Sequence, residues 1–329
     1  MRRRRDLLAL AVVAALTTLA LRPAGARSRA KPAAALTGTQ ADPGAAGDGS
    51  VPQPGPYDLP PEARSHLRGA PTGQVPGPLF HTTTGAYTDW APGWKFRYWI
   101  YVPAQYRPGH RAALLVLQDG HHYVGDPSIS KAHFNAPTVI DNLIAEGSMP
   151  VTIVVFIDPG SPDGVPGRGG DPNRSRQYDT PNDQYGKFVV DELLPATVLG
   201  KYDVVTDADG WAIGGHSSGG IAALMTAWFY PHKFHTVLSA SASFSNTGGK
   251  FPAALLTVKP PKPLRVYLLS GTQDLRDWFD QNNQAAQDLA AMGYHYRYLS
   301  GTDVHFPPAA AAEDLADALR WLWRGYRAP

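Results

Sequence analysis

The sequence predicts an α/β fold: one mostly parallel, doubly wound central sheet flanked by helices. Three observations predict it. Apolar runs of strand length recur along the chain and alternate with helical stretches, as in a sheet covered on both faces. The run Gly215-His216-Ser217-Ser218-Gly219 has the form Gly-x-Ser-x-Gly and stands where one of those strands should turn into a helix. The later strands end in loops that carry an acid and a histidine, at the edge where open α/β sheets hold functional groups.

Taken in order, residues 1–26 read as an export signal. Arg2 to Arg5 form a basic start, residues 7–21 an apolar core, and Ala24-Gly25-Ala26 a small-residue cleavage site. An apolar core of about fifteen residues falls short of the roughly twenty that span a bilayer, so no stable membrane anchor is expected. Arg4-Arg5-Asp6-Leu7-Leu8 fits a twin-arginine signal and an ordinary basic one equally. Residues 27–56 are rich in Ala, Gly, Pro and Asp without apolar periodicity, and are expected to form a flexible linker. Residues 57–329 have the length of one catalytic domain.

Within that domain, residues 96–102 and 112–118 are expected strands, the second ending in the turn Asp119-Gly120. A helix over 138–145 closes at Glu146-Gly147, and 151–157 is the next strand. A long loop, 158–181, carries Arg168, Arg174 and Arg176, which would suit an anionic or catecholate group. A helix over 184–194 is expected to stop at Pro195. The strand at 211–214 leads into the Gly-x-Ser-x-Gly turn, and the helix after it stops at Pro231. Residues 235–241 form a strand, and 243–263 leave no room for a large lid domain. Strand 264–269, helix 282–292, strand 294–299 and an amphipathic helix over 309–323 complete the chain.

The chain has 30 Lys and Arg against 28 Asp and Glu, a net charge of +2, with part of the basic excess in the signal. That balance gives no electrostatic footprint for nucleic acid. There is no cysteine, which excludes disulfides, a thiol nucleophile and a cysteine-ligated metal. No metal or organic cofactor is expected.

A serine in a sharp strand-to-helix turn is held with its hydroxyl exposed, and the glycines remove side chains that would clash there. Its hydroxyl needs a base to take its proton. The order serine, acid, histidine is met by Ser217, Asp274 and His305, the last two each following a strand. Asp277 and Asp280 lie close enough to replace Asp274. Ten other histidines compete with His305, among them His216, whose position usually points away from the site, and the adjacent His121 and His122, whose side chains should diverge. The N–H of Ser218 is one expected oxyanion donor. That of His121, after the tight turn at Gly120, is the other. Trp278, following the acid, is an expected aromatic wall of the substrate pocket, with core packing as the alternative.

With these residues in hand, the chain from about Tyr98 to Tyr326 resembles the enterochelin esterase branch of the α/β-hydrolases. That branch is related to the esterase D, feruloyl esterase and mycolyltransferase groups. The matching pieces are RYWIYVPAQY (Arg97 to Tyr106), VLQDGHHY (Val116 to Tyr123), MPVTIVVFIDPG (Met149 to Gly160) and NRSRQYD (Asn173 to Asp179). GGHSSGG, SGTQDL (Ser270 to Leu275), GTDVHF and ALRWLWRGY follow in the same order. The resemblance implies Ser217, Asp274 and His305 as a triad, with His121 and Ser218 as oxyanion donors. Substrate contacts are expected at Arg174, Gln177, Gly120, His122 and Trp278. Siderophore esterases of the branch hold a catecholate with an Arg-x-x-Glu element. Here Arg174 matches the arginine and Gln177 stands in place of the glutamate. The activity implied is that of an exported serine carboxylic-ester hydrolase, working through an acyl-enzyme on a small-molecule or polymeric ester. An acyltransferase with the same triad, a feruloyl or acetyl carbohydrate esterase, a polyester hydrolase and a binding module on the same fold are the alternatives. Oligomeric state is left open.

Overall fold

Strand β5 (Ala113–Gln118) is buried along its whole length, and its side chains divide between two cores. Leu114 and Val116 join one apolar cluster, while Ala113, Leu115 and Leu117 join the other. That division is why its sequence reads as unbroken apolar rather than alternating. The computed structural model describes residues 39–40, 47–53, 60–83, 91–125, 134–167, 170–248, 251–275, 277–305 and 308–329. All of them lie in one unit, Leu36–Pro329. The expected signal, residues 1–26, and Arg168 fall outside the described residues.

Among the described residues the main sheet has nine strands. They are β2 (Gly49–Gln53), β3 (Leu79–Thr82), β4 (Lys95–Tyr101), β5, β6 (Thr152–Ile157), β7 (Trp211–His216), β8 (Thr236–Ala240), β9 (Arg265–Gln273) and β10 (His295–Val304). Across the sheet the order is β2-β10-β9-β8-β7-β5-β6-β4-β3. The pairs β3–β4 and β4–β6 are antiparallel and the others parallel. Helices α3 (Ala136–Glu146) and α9 (Pro308–Leu322) cover one face, through Val139, Ile140, Leu143, Leu315 and Leu319. Helices α6 (Ser218–Phe229) and α8 (Trp278–Met292) cover the other, through Ile221, Leu224, Ala285 and Leu289. Among the described residues no helix is long and apolar enough to cross a membrane.

Three expectations need correction. The stretch read as a flexible linker contains β2, which lies parallel to β10, and β1 (Thr39–Gln40), which pairs with β11 (Tyr326–Arg327). Asp48, just before β2, meets His295 at 2.8 Å. Backbone pairing onto an edge needs little apolar pattern of its own, so composition gives no sign of it. The loop at 158–181 contains a helix, α4 (Pro172–Tyr178). Pro195 does not stop the helix that starts as α5 (Gln184–Lys187), because π-helical turns over Phe188–Leu193 and Pro195–Leu199 carry the chain past it. A proline lacks the N–H of a regular turn, and the wider register accommodates that gap.

The segment before β3 is tied down by polar groups. Asn142 on α3 is fully buried; its Oδ1 accepts from the Leu67 N–H at 2.8 Å and its Nδ2 donates to the carbonyls of Glu62 and Ser65. Asp141 beside it accepts from Tyr101 Oη at 2.6 Å and from the Gly73 N–H at 2.8 Å.

Candidate active site

The turn between β7 and α6 is set by close approach. Ser217 has φ 58° and ψ −125°, a conformation that non-glycine residues rarely adopt. Its N–H donates to the Ala240 carbonyl at 2.9 Å, and its own carbonyl accepts from Gly220 at 3.0 Å. A Cβ on Gly215 would stand 2.4 Å from the Gly219 carbonyl oxygen, so only glycine lets the strand and the helix start pass each other. Ser217 itself is half-buried. Ser218 opens α6, and the first amides of a helix have no intrahelical acceptor. Those amides, with the positive end of the helix dipole, favour an oxygen that develops negative charge nearby.

Strands β9 and β10 bring the acid and the histidine together. They pair in parallel up to Ser300↔Ser270 and Gly301↔Gly271, then shift register, and Val304 faces Gln273. That bulge puts one extra residue into β10 and re-aims its end. Asp274 and His305 are the next residue on each strand. His305 Nδ1 lies 2.6 Å from Asp274 Oδ1, and the carboxyl side chain is fully buried. Asp274 Oδ1 also accepts from the Leu275 N–H at 2.7 Å. Asp277 and Asp280, the weighed substitutes, are exposed.

The His305 ring is held between two others. Trp278 lies on one side with ring centroids 4.6 Å apart, and His216 lies at 4.7 Å. Trp278 is only 7% exposed, so it backs the imidazole and is not an open pocket wall. His216 was expected to point away, and instead packs on His305. Burial first, then the neighbouring His305, His122 and Arg174, hold its pKa well below the ordinary histidine value.

The β5–α2 loop closes the site from the other side, with α2 spanning Gly120–Val124. Asp119 is left-handed, at φ 59° and ψ 50°. Gly120 is jammed against β6: a Cβ there would sit 2.6 Å from the Ile157 nitrogen. Gly120 is therefore a close-approach glycine whose Cα faces strand β6. The His121 N–H donates to Asp158 Oδ1 at 3.0 Å, and His121 Nδ1 meets the same oxygen at 2.6 Å. Arg97 binds the other oxygen of Asp158 through Nε at 2.9 Å and Nη2 at 2.8 Å. The His121 amide is thus engaged, and serving an oxyanion would require it to leave Asp158. The rings of His121 and His122 lie 4.0 Å apart, so the two side chains do not diverge. His122 is half-buried.

Arg174 and Gln177 differ from their expected role as substrate contacts. Arg174 is 7% exposed, and its guanidinium grips Asp119 through Nε–Oδ1 at 2.9 Å and Nη2–Oδ2 at 2.7 Å. Gln177 is buried; its Oε1 accepts from the Gly160 N–H at 2.8 Å, and its Nε2 donates to the carbonyls of Gly160 and Asn173. Both residues brace α4 against the sheet. The sequence holds a sign of this helix: Asp171 precedes Pro172, and its Oδ1 accepts from the amides of Asn173 at 2.7 Å and Arg174 at 3.2 Å. Among the described residues no three His, Asp or Glu converge as metal ligands.

Residues 90–317 match the model of the Esterase family, described as "Putative esterase". The chain belongs to this family. It is an esterase, a hydrolase of carboxylic esters, on a mostly parallel sheet without a separate lid domain. Among solved structures, this esterase resembles a ferulic acid esterase of the anaerobic fungus Anaeromyces mucronatus. The TM-score is 0.62 at 12% identity, over 82% of this chain and 96% of that one. It also resembles the enterobactin esterase of Shigella flexneri, at TM-score 0.59 and 20% identity, over 76% of this chain and 59% of that one. A further ferulic acid esterase aligns at TM-score 0.57 and 19% identity, over 77% of this chain and 99% of its own length. No curated protein matches the chain.

Proposed function

We propose that this esterase acts by nucleophilic catalysis through an acyl-enzyme. Ser217 Oγ attacks the ester carbonyl carbon. His305 Nε2 takes the serine proton and returns it to the leaving alcohol. Asp274 on Nδ1 fixes the tautomer and stabilises the imidazolium. Water, deprotonated by His305, then releases the acid and restores the serine. The tetrahedral oxyanion is stabilised by the Ser218 amide and by the His121 amide at the start of α2, which substrate binding must first free from Asp158. The observation that carries this reading is the 2.6 Å contact between His305 Nδ1 and Asp274, at the same sheet edge as the strained serine turn.

The substrate proposed is a small or polymer-borne ester of a hydroxylated aromatic acid, as the likeness to a ferulic acid esterase and an enterobactin esterase suggests. Three single variants test the mechanism: S217A, D274N and H305A. With p-nitrophenyl acetate, each should lose about 10⁴-fold or more in kcat, and S217A should not be labelled by a fluorophosphonate. An S217A variant that turns over at the wild-type rate contradicts the mechanism.

Export is proposed on the sequence of residues 1–26, basic start, apolar core and Ala24-Gly25-Ala26 together. Fused to a reporter active only outside the cytoplasm, those residues should give signal; a silent reporter refutes export.

A further inference from the structure

Arg174 and Asp119 are distant in sequence and meet in a two-pronged ion pair beside the serine turn. The pair is buried: Arg174 is 7% and Asp119 3% exposed. Such a fork fixes orientation as well as distance, which a single contact would not. Burial opposes the charge of Asp119, but Arg174, with smaller help from His122 and His121, outweighs it and holds the carboxyl below the usual carboxylate range.

What the carboxylate touches gives the pair its meaning. Asp119 directly precedes Gly120 and His121, whose amides open α2. Its Oδ2 also packs on the serine helix: a Cβ on Gly219 would lie 2.9 Å from that oxygen. Gly219 directly follows Ser218. Asp119 therefore belongs to one of the two segments proposed to present amides to the reacting carbonyl and packs its carboxylate on the other, and Arg174 pins that carboxylate from α4.

We propose that the Asp119–Arg174 pair is a positioning device that fixes the spacing between the two halves of the oxyanion hole, so that Arg174 acts through Asp119 and not by touching substrate. The inference rests on the serine mechanism proposed above. It goes against the substrate role that the Arg-x-x-Glu resemblance implies for Arg174. Losing the pair lets the donors drift, and an oxyanion site is sensitive to such drift because its donors must already be aimed when charge develops.

The test uses the full chain with D119N, R174Q, R174K and the double variant D119N/R174Q. Each is measured for kcat and KM on p-nitrophenyl acetate, for inhibition by an alkylboronic acid that forms a tetrahedral adduct with a serine, and for thermal melting. D119N and R174Q should each lower kcat by about tenfold or more with KM changed less than about twofold, and boronate affinity should fall in parallel. The double variant should be no worse than the poorer single one, because both remove the same link. R174K, which keeps the charge and loses the fork, should fall between. If D119N and R174Q do not fold, R174K alone must show the same kcat-selective loss. A rise in KM with kcat and boronate binding intact makes Arg174 a substrate contact and overturns the proposal, as does unchanged kcat in all the variants. S217A separates the two levels. Its inactivity beside fully active pair variants sinks the positioning role alone, whereas an active S217A overturns both.

Discussion

At Ser217 the backbone sits at φ 58°, a strained state that costs of order 1–3 kcal/mol and persists because the surroundings hold it. The residues that hold it are small: Gly215 and Gly219 could not carry a Cβ without a collision. The sequence shows this part plainly, because glycine spacing is itself the steric requirement. His216 is different. Its position in the motif predicts a ring pointing away from the site, and the ring lands on His305 instead. It has a measurable consequence. The His216 pKa in the fold is depressed, so the unfolded chain binds a proton near the ordinary histidine value that the folded one refuses. Stability should therefore be fully present above about pH 6.5 and decline as pH falls below it, by up to about 1.4 kcal/mol per pH unit from this group. H216F keeps a ring and removes the titration. Its urea midpoint should fall less between pH 7 and pH 5 than that of wild type; equal falls would show that His216 has no part in the decline.

At the scale of elements, strands β4 to β10 and the longer helices fall where apolar runs and their stop signals put them. The meeting of Asp274 and His305 was legible for the same reason, since a residue just past a strand end needs only the strand to be found. The departures share a different cause. Helix α4 is held by Asp171 and by the inward bonds of Arg174 and Gln177, none of which leaves a periodic apolar trace. Strand β2 is held by backbone pairing to β10 and by Asp48 against His295. Its removal tests how far that edge supports the site. A chain lacking residues 1–46 keeps β2 and Asp48, loses only the two-residue pairing of β1 with β11, and should turn over as the full chain does. A chain lacking residues 1–53 loses both, leaving β10, the strand just before His305, paired with β9 on one edge only. Its melting temperature should drop by roughly 5–10 °C, taking about 1 kcal/mol per lost hydrogen bond and about 2–4 °C per kcal/mol. Its kcat should drop with it. Equal melting of the two truncated chains would mean that β2 is dispensable.

For the molecule as a whole, the sheet order places the functional loops at the carboxyl ends of β5, β7, β9 and β10, where parallel neighbours all point the same way. The three solved relatives compared, at 12–20% identity, share the fold with this chain. The order of strands has one more consequence. β2 and β10, some 250 residues apart along the chain, lie side by side, with Val51 facing Leu299. During synthesis the serine turn is made before the histidine proposed as its base, because His305 follows Ser217 in the chain. A growing chain can assemble the middle of the sheet early, but β2 must wait for β10. Under the triad reading, hydrolytic competence then arrives as a single late event, when those two strands find each other.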